Sequence, residues 1–115
     1  LEDGKGTYFK MAILQNLGVI YGKMGNLDKS IKTLIESLQI SRKNHFHSSE
    51  ASILSNLSEF CYYNGALDQS IQYAIEGISI WSYLEGSDDG NSNLVSFFAH
   101  LPFVQGDAKN ELTQR

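Results

Sequence analysis

The chain has 115 residues, 42% of them hydrophobic and 19% charged, with a formal net charge of −4. This is the balance of one compact globular unit and not of a disordered segment. The few Lys and Arg are scattered, which argues against a direct nucleic-acid partner, and no apolar run reaches the ~18 residues of a membrane span. A single Cys excludes an internal disulfide framework and fits a reducing, cytoplasmic setting. One Pro and no long Gly/Ser linker favour helix over sheet. The start, Leu1 to Gly6, has no initiator Met and reads as the tail of a loop in a fragment of something longer.

From Tyr8, the residues Phe9, Ile13, Leu14, Leu17, Ile20 and Tyr21 recur at the three-and-four spacing of an amphipathic helix. Gly25-Asn26 should end it. A second helix follows after about two residues, so the pair must be antiparallel. It is expected to bury Leu27, Ile31, Leu34, Ile35, Leu38 and Ile40, with Asp28 in its first turn and Arg42 and Lys43 in its last, each matching the helix dipole. After a polar link containing His45-Phe46-His47, Ser48 or Ser49 with Glu50 is expected to cap a third helix, which buries Ile53, Leu54, Leu57, Phe60 and Cys61. A fourth runs from about Leu67 to Leu84 and is expected to bury Leu67, Ile71, Ala74, Ile75, Ile78 and Trp81. Beyond a breaker-rich loop (85–91), Leu94, Val95, Phe97, Phe98 and Leu101 read as a degraded third copy, cut short by Pro102.

The chain repeats itself at a spacing of 40 residues. Ile13/Ile53, Leu14/Leu54, Asn16/Asn56, Leu17/Leu57, Gly25/Gly65, Leu27/Leu67, Asp28/Asp68, Ser30/Ser70, Ile31/Ile71, Ile35/Ile75, Glu36/Glu76 and Ile40/Ile80 are identical pairs. A period in this range marks a stacked repeat array. The expected fold is all-α: antiparallel helix hairpins stacked as a right-handed α-solenoid, with repeats at 8–44 and 48–84 and a degraded or capping element at 91–115.

Leu14, Leu17, Gly18 and Tyr21 in the first helix, small residues at Ser30 and Ser70 early in the second helices, and Gly25 and Gly65 at the inter-helix turns resemble the tetratricopeptide repeat family. The departures are Cys61 where the family has an aromatic, and Arg42 and Ser82 where it has a late proline. The period also exceeds the family's core of about 34 residues. It resembles a long-helix subclass known from bacterial transcription regulators and pheromone receptors, kinesin light chains and polarity adaptors. The resemblance implies a non-catalytic scaffold without cofactors, with a protein or an extended peptide as partner and the first helices lining the inner face.

On that face Asn16 and Asn56 resemble the family's asparagine that grips peptide backbone, since an amide both donates and accepts. Gln15, Val19, Lys23, Ser55, Glu59 and Tyr63 would set specificity. A clamp for a terminal carboxylate is not expected, because Ala12, Gln15, Ser52, Ser55, Ser92 and Ser96 stand where it needs Lys or Arg. The alternatives are a peptide-sensing domain of a signalling or transcription regulator, and a self-association module whose uncovered apolar ends form a homo-oligomer. The two loop histidines with Glu50 fall short of a zinc set. Cys61, at a core position late in a helix, reads as inert.

Overall fold

The computed structural model describes residues 4–85. These form four helices in two hairpins: α1 (Gly4–Lys23) with α2 (Leu27–Lys43), then α3 (His47–Tyr63) with α4 (Leu67–Glu85). Every described helix lies upstream of the chain's one proline. The third copy and Pro102 lie outside the described residues.

All three turns have the same construction. The N–H groups of Asn26, Phe46 and Ala66 donate to the carbonyls of Tyr21, Ser41 and Cys61, each at 2.9 Å. One residue earlier, Gly25, His45 and Gly65 donate to Gly22, Arg42 and Tyr62 at 3.1, 3.4 and 3.1 Å. This paired closure needs a left-handed residue at its centre. Gly25 and Gly65 supply it at φ +88° and +83°, and His45 adopts it at φ +57°. The turn thus recurs every 20 residues, twice per repeat, with the imidazole-bearing residue in the unfavourable position. His45→Gly is accordingly expected to raise stability by about 0.5–1 kcal/mol, and Gly25→Ala or Gly65→Ala to lower it by about 1 kcal/mol. Urea unfolding midpoints measure both, and a lower midpoint for His45→Gly would contradict this account of the turns.

Within each hairpin the contact is made by small residues. Ser30 Oγ donates to the Gly18 carbonyl at 2.6 Å, and Ser37 Oγ to the Met11 carbonyl at 2.8 Å. In the second hairpin Ser58 Oγ donates to the Ser70 carbonyl at 2.7 Å, and Ser70 Oγ returns the bond to the Ser58 carbonyl at 2.6 Å. All four hydroxyl-bearing residues are fully buried. Their short side chains let the axes approach, and their hydroxyls satisfy the cost of burying a polar atom. Gly18 is buried at one such approach, and Ala74 and Gly77 are buried at the registers of Leu34 and Ser37.

Between hairpins, α3 packs against α2 and touches α1. Met11, Leu34, Leu38, Ile53, Leu54, Leu57 and Phe60 form one core cluster, on which Leu27, Ile31, Ile35 and Ile40 pack partly buried. The Phe60 ring lies over Gly22, where an added Cβ would be 2.4 Å from the ring. Polar links join the hairpins at the margins. Gln15 donates to Ser52 at 2.9 Å, Asn64 to Asp28 at 3.2 Å, and Arg42 bridges Glu50 and Glu76 at 3.1 and 2.9 Å.

Three expectations need correction. The first helix begins at Gly4 and not near Tyr8. Buried Thr7 and the edge-to-face contact of Tyr8 with Phe46, at 5.4 Å between centroids, hold the extra turn despite its glycines. Neither Ser48 nor Ser49 caps α3, since the short turn starts that helix at His47, the N-cap position falls on Phe46, and no side chain caps it. Glu50 turns instead to Arg42. Finally, Leu67, Ile71, Ile75 and Ile78 of α4 are exposed, and only Ala74 of the expected face is fully buried.

Candidate functional site

Residues spaced i, i+4, i+7 and i+11 share one face of a helix. On α1 these are Ala12, Asn16, Val19 and Lys23, and on α3 the same positions carry Ser52, Asn56, Glu59 and Tyr63. Each set is accessible at least in part, with Asn16, Lys23 and Tyr63 exposed and Ala12, Val19, Ser52, Asn56 and Glu59 half-buried. The Gln15–Ser52 hydrogen bond fixes α1 and α3 side by side at the edge of this strip. Two copies of one residue pattern therefore lie on neighbouring, register-matched helices.

The Asn16 and Asn56 side chains form no hydrogen bond with any described residue. Each amide leaves its donors and its acceptor unused by the described residues. Lys23 and Glu59 form no ion pair among the described residues. Tyr63 stands edge-on to Tyr62 at 5.8 Å and presents a mostly exposed ring. The strip thus offers amides, one charge of each sign and an aromatic face, a set suited to holding a polypeptide main chain and sorting side chains beside it.

Two of the expected site residues sit differently. Gln15 is half-buried and spends its amide on Ser52. Ser55, at the same position of α3, is buried at 2% exposure. Gln15 thus turns toward the next hairpin, and Ser55 holds the matching position on α3. Ser52, to which the sequence pattern gives no positive role, belongs to the strip.

Other chemistry is sparse. Burial pushes the Cys61 thiol up, away from the thiolate form that reacts. Burial, reinforced by Cys61 and Glu76, likewise raises Tyr73. His47 Nδ1 lies 3.7 Å from Glu50, and the His45 and His47 rings stand 5.9 Å apart. Among the described residues no three His, Cys, Asp or Glu side chains converge as metal ligands do. Asp88, Asp89 and His100 lie outside them. No described helix is long and apolar enough to cross a membrane.

The family model of the tetratricopeptide repeat matches residues 10–90. The chain belongs to the tetratricopeptide repeat family. No curated protein sequence and no solved structure matches it. The two hairpins are two consecutive tetratricopeptide units of an all-α repeat solenoid, and such units are protein-interaction scaffolds, generally without catalysis. The buried serines at 30, 58 and 70 occupy the small-residue sites of the repeat, and its turn glycines are Gly25 and Gly65.

Proposed function

We propose that this tetratricopeptide pair holds an extended segment of a partner protein along the strip formed by α1 and α3. Asn16 and Asn56 grip the segment's backbone; Val19, Lys23, Glu59 and Tyr63 select among its side chains, and Gln15 and Ser55 support the strip from its edge. One observation carries this reading: two amides at the same position of neighbouring helices have no hydrogen-bond partner among the described residues. A polar residue repeated at that position with no intramolecular use is accounted for by a ligand whose own polar groups repeat. A main chain is such a ligand, because each residue brings one donor and one acceptor.

A peptide selected on the chain from a displayed random library provides the test. Each amide contributes about 1 kcal/mol through its hydrogen bonds. Asn16→Ala with Asn56→Ala should therefore weaken binding roughly 30-fold by fluorescence anisotropy, while circular dichroism and the unfolding midpoint stay unchanged. Undiminished affinity in the double variant would reject the proposed role.

A further inference from the structure

The two hairpins carry opposite charge. Between Gly4 and Lys43 stand seven Lys and Arg against two carboxylates, Asp28 and Glu36. Between His47 and Leu84 there is no Lys or Arg, against four carboxylates, Glu50, Glu59, Asp68 and Glu76. The two carboxylates of the first hairpin return forty residues on as Asp68 and Glu76, but no cation returns. Lys10 gives way to Glu50, Lys23 to Tyr63, Lys29 to Gln69, Lys32 to Gln72 and Arg42 to Ser82. The hairpin itself does not need these cations, since the second one closes the same turn and makes the same kind of serine contact without them.

Little of this charge is used inside the fold. Among the described Lys and Arg, Arg42 alone is ion-paired, to Glu50 and Glu76. The six lysines of the first hairpin are exposed and form no ion pair among the described residues, although Lys29 lies over the Tyr21 ring at 4.6 Å. Glu59 and Asp68 form none either. A surface that keeps one sign on each hairpin presents a field with a direction, positive over the first and negative over the second.

The amide strip crosses the boundary between these fields, and its own charges agree with them: Lys23 stands on α1 and Glu59 on α3. Packed helices lie about 8–10 Å apart and an extended chain rises about 3.3 Å per residue, so a segment passes from one helix to the other in about three residues. We infer that the segment held there is charge-segregated, with Asp or Glu over α1 and Lys or Arg three or four residues away over α3. A uniformly acidic segment gains over the first hairpin and loses over the second, and a uniformly basic one does the reverse. The inference rests on the strip being the place where the partner lies, as proposed above, and adds the partner's chemistry.

A displayed random peptide library selected on the full chain tests this. Recovered peptides should carry an acidic and a basic residue three or four positions apart about five-fold more often than the unselected library, the margin that two exposed ion pairs confer. One such peptide, synthesised with a nitroxide on its acidic end, should broaden the amide NMR signals of Asn16 and Lys23. With the nitroxide on its basic end, it should broaden those of Asn56 and Tyr63. Lys23→Glu with Glu59→Lys should weaken its binding about five-fold at low salt, and about 1 M salt should erase that difference. Charges placed at random among the recovered peptides, an acidic end that broadens α3, or an affinity that the charge exchange leaves unchanged overturns the inference. The amide grip survives that result if Asn16→Ala with Asn56→Ala still releases the peptides. Segregated peptides that bind the asparagine variant undiminished overturn the grip instead, and a library without binders overturns both.

Discussion

Gly18→Ser is expected to lower the stability of the array by about 2 kcal/mol, near the middle of the range for overpacking a tight core. A Cβ at position 18 would stand 2.6 Å from Leu34 Cγ, 2.8 Å from its Cδ2 and 3.3 Å from the Ser30 carbonyl. The first of these atoms is the branch point of a fully buried leucine, so a rotation of its tip does not clear the contact. Helix propensity favours any residue over Gly by a few tenths to about 1 kcal/mol, which offsets only part of the cost. The second hairpin has already solved the same problem with the sizes exchanged: Ser58 stands at the register of Gly18, and Ala74 at that of Leu34. Leu34→Ala alone should cost about 2–5 kcal/mol as a cavity. The double variant should cost less than the sum by at least about 1 kcal/mol. In it, the introduced serine fills the space and is free to bond the Ser30 carbonyl as Ser58 bonds that of Ser70 at 2.7 Å. A denaturant double-mutant cycle reads this coupling, and additive losses would mean that the two hairpins do not share one packing rule.

That exchange of sizes is half legible in the sequence. The forty-residue identities, the small residues at 18, 30, 58 and 70, and the turn glycines were all visible as letters, and they were enough for antiparallel hairpins and for the family. The serine hydroxyls bonding across to carbonyls were not visible, since a small residue in a sequence announces a close approach but not what its oxygen does there. The third turn was missed for a related reason. His45 adopts the left-handed conformation that Gly25 and Gly65 advertise, and a histidine carries no such signal. The twenty-residue spacing of the turns was therefore hidden behind the forty-residue spacing of the letters.

Amphipathic patterning also has a built-in blind spot. It identifies a side that can be buried, not a neighbour that buries it. This is why Leu67, Ile71, Ile75 and Ile78 are expected inside and lie outside, while Leu27, Ile31 and Ile35 at the matching places of α2 pack on the core. The candidate site divides along a similar line. Asn16, Val19 and Lys23, with Asn56, Glu59 and Tyr63, follow from helical spacing and share the strip. Gln15 and Ser55 adjoin the strip, three residues from Ala12 and Ser52 and four from Val19 and Glu59. Gln15 there turns to Ser52 of the next hairpin, a contact that depends on how hairpins stack and not on either helix alone.

Ile53→Ala should remove about 2–5 kcal/mol, a large part of what holds a small domain together, whereas Ile13→Ala should change stability by no more than about 0.5 kcal/mol. The two substitutions delete the same atoms from the same residue at the same place in the repeat. Local helix propensity, the covalent change and the effect on the unfolded chain are therefore nearly matched, and the difference isolates stacking. Ile53 lies within the Leu34–Leu57–Phe60 cluster with no accessible surface, so truncation leaves a cavity. Ile13 is mostly exposed, so truncation only trims a surface. In thermal unfolding the Ile53 variant should melt at least about 8 °C lower, taking about 4 °C per kcal/mol for a domain of this size. Similar losses at both sites would mean that the two hairpins do not bury this side as described, and would remove the basis for placing Asn16 beside Asn56.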